Sequence, residues 1–413
     1  MRGGRPDPIH AVIGHGRRLT WFEPALVAGP TNPYRLGSMN PDQPMIDTPE
    51  ALARLAGRLE QAERIALDTE FVWDRTYYPK MGLVQVGLDD GECYLIDAVA
   101  LPDLSTLAPA VSSPERVKIL HDAPQDLTIV RRVTGAFPRT VFDTRCAAGL
   151  AGLSSTTSLG DLVAQAIGVS LPKTESRTNW LQRPLAPEQV EYAVDDVRYL
   201  GPVRAELLSR VAALGRAEWL TEELGGLDDP ELYVERDPQQ QYLRVRGAGR
   251  ASPRELAILR ELAAWREEEA RRCDRPRERV LPDASLVRLA RSRPRALEQL
   301  RGTQGLARRY VEPILEAVAR GLAVPDRECP RRRRIRDEAR AEALLEQAMS
   351  LVRHRSQAAG IDAPFVATRA EVRGLMADGP AALPEQHRLL RGWRRGVVGE
   401  ELLALMTDGR HPR

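Results

Sequence analysis

The stretch Ile65-Ala66-Leu67-Asp68-Thr69-Glu70-Phe71 places two carboxylates inside an otherwise apolar run. The run has the length and composition of a buried β-strand, and successive side chains of a strand alternate between the two faces of its sheet. Asp68 and Glu70 are two residues apart, so we expect them on the same face. Because a buried carboxylate is costly unless its charge is compensated, the pattern indicates an active site or a metal site on this strand.

Acidic residues farther along the chain are candidates to join this pair. In a helix, side chains four residues apart share a face, so Tyr192 is better matched to Asp196 than to Asp195. Spacing leaves Asp122 and Asp126 open, since Asp126 also has the position of a helix cap. Converging carboxylates repel one another, and their hard oxygen ligands suit Mg²⁺ or Mn²⁺. We therefore expect two divalent metal ions, about 3.5–4 Å apart, a spacing that supports in-line attack on a phosphodiester.

Composition narrows the class of protein. With 413 residues, of which 43% are hydrophobic, the chain is long enough for two to four domains. Its four cysteines have no CxxC spacing, which argues against a zinc site or a disulfide framework and fits a reducing cytoplasm. No apolar run approaches the roughly 18 residues of a membrane span, so we expect none, and the cysteine usage leads us to expect a cytoplasmic protein. Residues 1–40 are rich in Gly, Pro and Arg, which predicts a flexible extension over 1–42 or an upstream start codon.

Strand and helix patterns alternate in the first half of the chain and give way to helix alone in the second. Thr48 is a plausible N-cap for a helix over 47–60, and the Asp89-Asp90-Gly91 turn predicts an antiparallel hairpin. A continuous helical period covers 187–213. The pattern predicts an α/β domain with a mixed sheet, followed by two helical units of about 75–80 residues each.

Four motifs carry a strong resemblance to a known family. They are LDTEF at 67–71, TYYP at 76–79, HDAPQDL at 121–127, and KTESRTNWLQRPL at 173–185 leading into EQVEYAVDDVRYL at 188–200. In this order they resemble bacterial ribonuclease D, of the DEDD exonucleases with a tyrosine in the third motif, over roughly 45–215. The resemblance implies a ribonuclease H-like exonuclease domain in which a mixed sheet is flanked by helices.

The family's catalytic positions fall on five residues of this chain: Asp68, Glu70, Asp126, Tyr192 and Asp196. Asp122 occupies a position that is usually small in the family. The resemblance implies a metal-dependent 3′-5′ exoribonuclease that releases nucleoside 5′-monophosphates and trims the 3′ ends of tRNA precursors and other small structured RNAs.

The same hypothesis gives each residue a role. Asp68 is expected to bridge both metals, while Glu70 and Asp196 complete the site that holds the nucleophilic water. Asp126 is expected to hold the second metal, partly through water. Tyr192 is expected to orient the attacking water, because a free phenol has a pKa of about 10 and is a poor base at neutral pH.

A polar stretch just ahead of the third motif supplies the predicted RNA contacts. Lys173 and Arg177 suit phosphate contacts, and Trp180 suits stacking on a base. The alternatives are that Trp180 belongs to the core and that Arg177 forms a surface ion pair. Phe71 and Tyr77 are candidates to wedge the terminal bases, with core packing as the alternative for Phe71.

The second half resembles a helical module. AWREEEARRCDRPRERVLPDASLVRLARSRP at 264–294 resembles the HRDC domain, and GWRRGVVGEELLALM at 392–406 resembles a more divergent second copy. Such modules bind nucleic acid or dock onto a catalytic domain. The predicted boundaries are an extension at 1–42, the exonuclease domain at 43–228, a linker at 229–249, a first HRDC domain at 250–325, a basic linker at 326–336 and a divergent HRDC-like domain at 337–413.

Two rival functions remain to be weighed. The first is a DNA exonuclease of the same superfamily, and the second is a catalytically silent RNA-binding scaffold. All four acidic positions are present, which argues against the scaffold. We expect RNA as the partner and a monomer as a sufficient state. We also expect a chain lacking 240–413 to keep metal-dependent hydrolysis while it loses RNA affinity.

Overall fold

A computed structural model of the chain describes residues 11–12, 18–19, 21, 45–172, 178–300, 306–331 and 338–408. The chain divides into two units. The first takes in Met1–Glu70, Met81–Tyr233 and Ile335–Arg413, and the second takes in Phe71–Lys80 and Val234–Arg334. None of the helices in the described ranges combines the length and apolarity that crossing a bilayer requires.

A five-stranded mixed sheet lies in the first unit, with strand order β3-β2-β1-β4-β5. The strands are β1 (Arg64–Val72), β2 (Lys80–Leu88), β3 (Cys93–Asp97), β4 (Val117–Leu120) and β5 (Val141–Asp143). The tight turn after Leu88 makes β2 and β3 antiparallel, whereas β1, β4 and β5 run parallel and are joined by longer connections. The predicted mixed sheet with a hairpin at one side is therefore confirmed.

Helices surround this sheet. They are α1 (Pro49–Leu59), α2 (Ala108–Ser112), α3 (Ala123–Thr134), α4 (Thr144–Leu150), α5 (Leu159–Ile167), α6 (Pro187–Arg198), α7 (Leu200–Ala213) and α8 (Ala217–Gly225). The predicted cap is present, since the Thr48 hydroxyl accepts a hydrogen bond from the Ala51 N–H at 3.3 Å. The predicted continuous helix over 187–213 is instead divided at Tyr199. Pro202 has no N–H to donate to the Arg198 carbonyl, so an uninterrupted helix is disfavoured there.

The second unit is a helical bundle, formed by α9 (Pro253–Arg272), α10 (Arg277–Val280), α11 (Asp283–Ser292) and α12 (Val311–Ala323). A capping box begins α9, because the Ser252 N–H donates to Glu255 at 2.8 Å and the Ser252 hydroxyl accepts from the Glu255 N–H. Val245 and Ala248, which fall in the segment 229–249, are buried in the apolar core of the bundle.

The loop Phe71–Lys80, which joins β1 to β2, belongs to the bundle unit. The side chain of Tyr77 packs against the bundle core, and its hydroxyl donates a hydrogen bond to Glu267. The backbone N–H groups of Tyr77 and Tyr78 both donate to Asp274 at 3.1 Å. Tyr77 is therefore engaged by protein groups, which differs from the prediction that it wedges terminal bases.

The C-terminal helices belong to the first unit rather than to the bundle. They are α13 (Glu338–Ala359), α14 (Ala363–Val366), α15 (Arg369–Asp378), α16 (Gly392–Arg394) and α17 (Glu400–Asp408). Trp393 stacks on Trp219 of α8 with ring centroids 5.1 Å apart, and the buried Arg394 forms an ion pair with Glu223. These contacts make the end of the chain part of the unit that contains the sheet.

Candidate active site

Strand β1 carries the first two acids of the site. Asp68 and Glu70 share the face of the sheet that Ala66 also occupies, as the alternation of a strand requires. The neighbouring strand β2 presents Gln85 to the same place, with its amide nitrogen 3.4 Å from a carboxylate oxygen of Asp68. The strand pair thus forms the floor of the site.

Helix α6 brings Tyr192 and Asp196 over this floor. Pro187 begins the helix. The Ala186 N–H, at the N-cap position, donates a hydrogen bond to the Gln189 side chain at 2.9 Å and so has a partner at the start of the helix. A Cβ atom on Gly87 of β2 would lie 3.1 Å from the Val197 carbonyl oxygen and 3.2 Å from the Ala66 Cβ. The absence of a side chain at Gly87 therefore lets the helix approach the sheet closely.

Helix α3 supplies Asp126. The helix begins after Asp122, whose φ of +63° is left-handed, and the Asp143 carboxylate accepts a hydrogen bond from the Ala123 N–H at 2.9 Å. One turn into the helix, the carboxylate of Asp126 accepts a hydrogen bond from the Thr69 hydroxyl of β1. This contact joins the second motif to the first.

The four acids lie in the same region, but only three of them are close enough to one another to bind a single ion. Carboxylate oxygens of Asp68, Glu70 and Asp196 lie within 4.8 Å of one another, which makes them a candidate metal-binding group among the described residues. Asp126 does not belong to that group, but its charge acts on both Asp68 and Glu70. Four of the predicted acids thus occupy one region, with three in direct reach of a single ion.

Burial and mutual repulsion make these carboxylates hard to ionise in the metal-free protein. Burial, followed by the charges of Asp196 and Asp126, raises the pKa of Glu70 to about 8. Burial is also the largest cause for the others, raising the pKa of Asp196 to about 7, that of Asp126 to about 6, and that of Asp68 well above its ordinary value. Perturbed carboxyl groups of this kind are typical of functional sites.

The donor set fits divalent cations. Among the residues that the structure describes, no arginine or lysine lies within ion-pairing distance of these four acids. One oxygen of Asp196 is buried and has no hydrogen-bond partner in the described part of the chain. Uncompensated buried carboxylate oxygens that face one another are the ligands that Mg²⁺ and Mn²⁺ prefer.

The structure also separates the rival acids that spacing left open. The Asp122 side chain is largely exposed, and its charge is compensated by an ion pair with Arg145. The Asp195 carboxylate lies 3.1 Å from the Arg198 guanidinium. Asp126 and Asp196, rather than their neighbours, therefore face the candidate metal site.

Tyr192 lies beside the acids with its ring packed on Trp180, at a centroid separation of 6.0 Å. Burial, together with the charges of Asp196, Glu70 and Asp68, raises its pKa further above the ordinary value of 10. A phenol that is this hard to ionise in the metal-free protein is better suited to orienting a water than to deprotonating it.

The predicted RNA contacts have different outcomes. Trp180 is only 2% exposed, so in this structure its ring supports Tyr192 and offers no face for a base, which differs from the prediction. Lys173 and Arg177 lie outside the described residues. Sequence reasoning missed Gln85 and Thr69, although a glutamine inside the apolar run Leu83-Val84-Gln85-Val86 carries the same signal as Asp68 in β1.

Comparisons with known proteins agree with this geometry. Residues 43–212 match the model of a 3′-5′ exonuclease family, and residues 255–318 match that of the HRDC domain. The ribonuclease D of Desulfotalea psychrophila is 38% identical over 85% of this chain and 95% of its own length. That of Gluconacetobacter diazotrophicus is 36% identical over 90% of this chain and 94% of its own.

A solved structure covers nearly the whole chain. The crystal structure of Escherichia coli RNase D, described as an exoribonuclease involved in structured RNA processing, matches with a TM-score of 0.79 and 30% sequence identity. The match covers 90% of this chain and 100% of that one. A Bifidobacterium adolescentis protein with 23% identity and a TM-score of 0.64 shares the fold. The resemblance found in the sequence is thus confirmed, and the chain belongs to the bacterial ribonuclease D family of 3′-5′ exoribonucleases, with an exonuclease domain and an HRDC domain.

Proposed function

We propose that the protein shortens RNA from its 3′ end with two divalent metal ions, Mg²⁺ or Mn²⁺, and releases nucleoside 5′-monophosphates. The observation that carries this proposal is the group of Asp68, Glu70 and Asp196, which lie together partly buried with no cation beside them among the described residues. When bound, such ions supply an activated water and neutralise the charge that develops on the phosphate.

The residues of the site divide the work between holding the metals and placing the water. Asp68, on which the charges of the other three acids act, would hold a metal ion together with Glu70 and Asp196. Asp126, held by the Thr69 hydroxyl, would hold the second ion from α3, in part through water. The Tyr192 hydroxyl, which lies within reach of the charges of Asp196, Glu70 and Asp68, would orient the attacking water toward the terminal phosphodiester.

A cavity of about 690 Å³ that opens beside Tyr192 supports binding of an RNA strand there. Its lining combines polar and apolar side chains, and the polar ones include Thr178, Asn179, Gln182 and Gln189. Amide side chains donate and accept hydrogen bonds and so suit sugar hydroxyls and base edges. Lys173 and Arg177 precede this lining in the sequence and remain our candidates for phosphate contacts.

The substrates that we propose are tRNA precursors and other small structured RNAs with 3′ extensions, by analogy with the family. The chain is proposed to act as a monomer in the cytoplasm, and the four cysteines are all free, as expected in a reducing compartment. We keep the boundaries 1–42, 43–228, 229–249, 250–325, 326–336 and 337–413 as a proposal, including a divergent second HRDC domain.

Digestion of a 3′-tailed tRNA labelled at its 5′ end tests the proposal. Wild type with Mg²⁺ is expected to give a ladder that shrinks from the 3′ end, and EDTA is expected to stop it. Asp126→Asn is expected to be inactive, whereas the matched control Asp122→Asn, at an exposed acid of the same helix start, keeps activity. A 5′-labelled DNA strand of the same sequence serves as the competing substrate, and its preferential degradation would establish the DNA exonuclease instead.

A further inference from the structure

Gln85 is an unusual residue for its position. It lies in β2 between Val84 and Val86, both buried, and is itself 0% exposed. A primary amide has two donors and an accepting oxygen, all of which need partners when they are taken out of water. A side chain of similar length without polar atoms would fill the same space at lower cost.

The amide of Gln85 is only half satisfied. Its nitrogen lies 3.4 Å from an Asp68 carboxylate oxygen, whereas its oxygen is buried and has no hydrogen-bond partner among the described residues. An unpaired buried carbonyl oxygen destabilises a fold, so stability alone does not account for a glutamine here. The contact with Asp68 is what distinguishes it from an apolar side chain.

The contact between the Gln85 amide nitrogen and the Asp68 carboxylate has a predictable effect on that carboxylate. An N–H group directed at a carboxylate favours its ionised form and fixes the direction in which its oxygens point. Asp68 is surrounded by the like charges of Glu70, Asp126 and Asp196, and the Gln85 amide nitrogen is a side-chain donor beside its carboxylate. Groups that hold a metal ligand from behind typically change metal affinity by about 10- to 100-fold when they are removed.

We propose that Gln85 is a positioning residue, which holds the Asp68 carboxylate ready to receive a divalent cation through its amide N–H. The inference rests on the proposed metal-dependent function. Gln85 itself touches neither the ion nor the RNA, and it acts only through Asp68. Loss of the amide should weaken metal binding without changing the binding of RNA.

Calorimetric titration of Mn²⁺ into the metal-free, full-length protein in the absence of RNA tests the proposal. Gln85→Met keeps the length of the side chain and removes the amide, and Gln85→Leu is a second apolar variant should the first not fold. Both are expected to bind Mn²⁺ about 10-fold more weakly than wild type, while the metal-free melting temperature is equal or higher. Gln241→Met, which removes a buried glutamine from the helical bundle, is the matched control and should bind Mn²⁺ like wild type.

Hydrolysis provides a second reading of the same variants. At limiting Mg²⁺, Gln85→Met is expected to lose kcat with little change in KM for RNA, and excess Mg²⁺ should restore much of the loss. Mn²⁺ affinity within twofold of wild type in a folded Gln85 variant would overturn the inference. Failure of wild type itself to bind Mn²⁺ or degrade RNA would overturn the proposed function instead.

Discussion

The two units of the molecule each bury acidic side chains, but in opposite surroundings. In the unit with the sheet, Asp68, Glu70 and Asp196 face one another with no cation beside them in the described residues. In the helical bundle, Glu267 is even less exposed, yet its carboxylate accepts two hydrogen bonds from Arg277 and one from the Tyr77 hydroxyl, with Arg271 at 3.6 Å.

The pKa values follow this difference. Burial raises the pKa of Glu267, but the hydrogen bonds from Arg277 and Tyr77 and the nearby positive charges outweigh it and leave the pKa below its ordinary value. The active-site acids have no such compensation, and their pKa values are raised. A buried acid whose charge is compensated by cations and donors of its own chain is structural. A buried acid without such partners indicates a ligand from outside the chain.

The largest effect is expected from removing one of the active-site acids whose charge is not compensated. Asp196→Asn should lower exonuclease activity by roughly 10³-fold or more, because a ligand charge is lost where the reaction develops charge. Asp195→Asn, one residue earlier, changes an acid that pairs with Arg198 and should keep activity within about tenfold. Single-turnover cleavage of labelled RNA measures both, and equal losses would show that the two acids are not distinguished by their partners.

The next effect comes from removing a cationic partner of the buried Glu267 carboxylate. Arg277→Met should destabilise the protein by about 2–4 kcal/mol, because it leaves Glu267 buried with less of its charge compensated. The matched control is Arg272→Met, which breaks an exposed ion pair with Glu269 and should cost less than about 1 kcal/mol. Urea unfolding of both variants measures the difference, and a cost for Arg277→Met no greater than that of the control would contradict the comparison.

The smallest effect concerns pH. The pKa of Glu70 is about 8 in the folded, metal-free protein against an ordinary value of 4.5, so between these values the folded state holds the extra proton. The contribution of the protonated Glu70 to the free energy of unfolding is therefore fully present below about pH 4.5 and is lost as pH rises toward 8. In EDTA, Glu70→Gln should gain roughly 2 kcal/mol over wild type between about pH 5 and about pH 8.5.

Urea unfolding at the two pH values measures this gain. Glu60→Gln, which changes a solvent-exposed acid, is the control. Its free energy of unfolding should differ from that of wild type by the same amount at both pH values. Saturating Mg²⁺ should reduce the destabilisation of wild type at the higher pH, because the ions bind the ionised carboxylates. A gain for Glu70→Gln that is independent of pH would contradict the raised pKa.

Local patterns predicted the parts of the site that depend on one element. The period of a strand places Asp68 beside Glu70, and the period of a helix places Tyr192 beside Asp196. The choice of Asp126 over Asp122 was open on spacing alone, because it depends on the left-handed φ of Asp122 and on Arg145, 23 positions later in the chain.

The remaining differences come from long-range contacts. Trp180 has the composition of a stacking residue, but its burial under Tyr192 is set by packing between segments. Residues 229–249 have the breaks of a linker, and the burial of Val245 and Ala248 in the bundle core depends on contacts with distant helices. The membership of residues 335–413 in the first unit depends on pairs such as Trp219 and Trp393, which no local period reveals.

That last membership has a consequence for how the enzyme is made. The unit with the sheet is assembled from three stretches of chain, and the final one begins at Ile335. During translation, α8 is synthesised more than 100 residues before its partners Trp393 and Arg394 leave the ribosome. The ribonuclease is therefore complete only when its synthesis is complete, and a prematurely terminated chain carries all five candidate catalytic residues in a unit that still lacks part of its packing. The expectation from the sequence that a chain lacking 240–413 keeps its hydrolytic activity is therefore replaced: the deletion should compromise the exonuclease fold itself and not only the affinity for RNA.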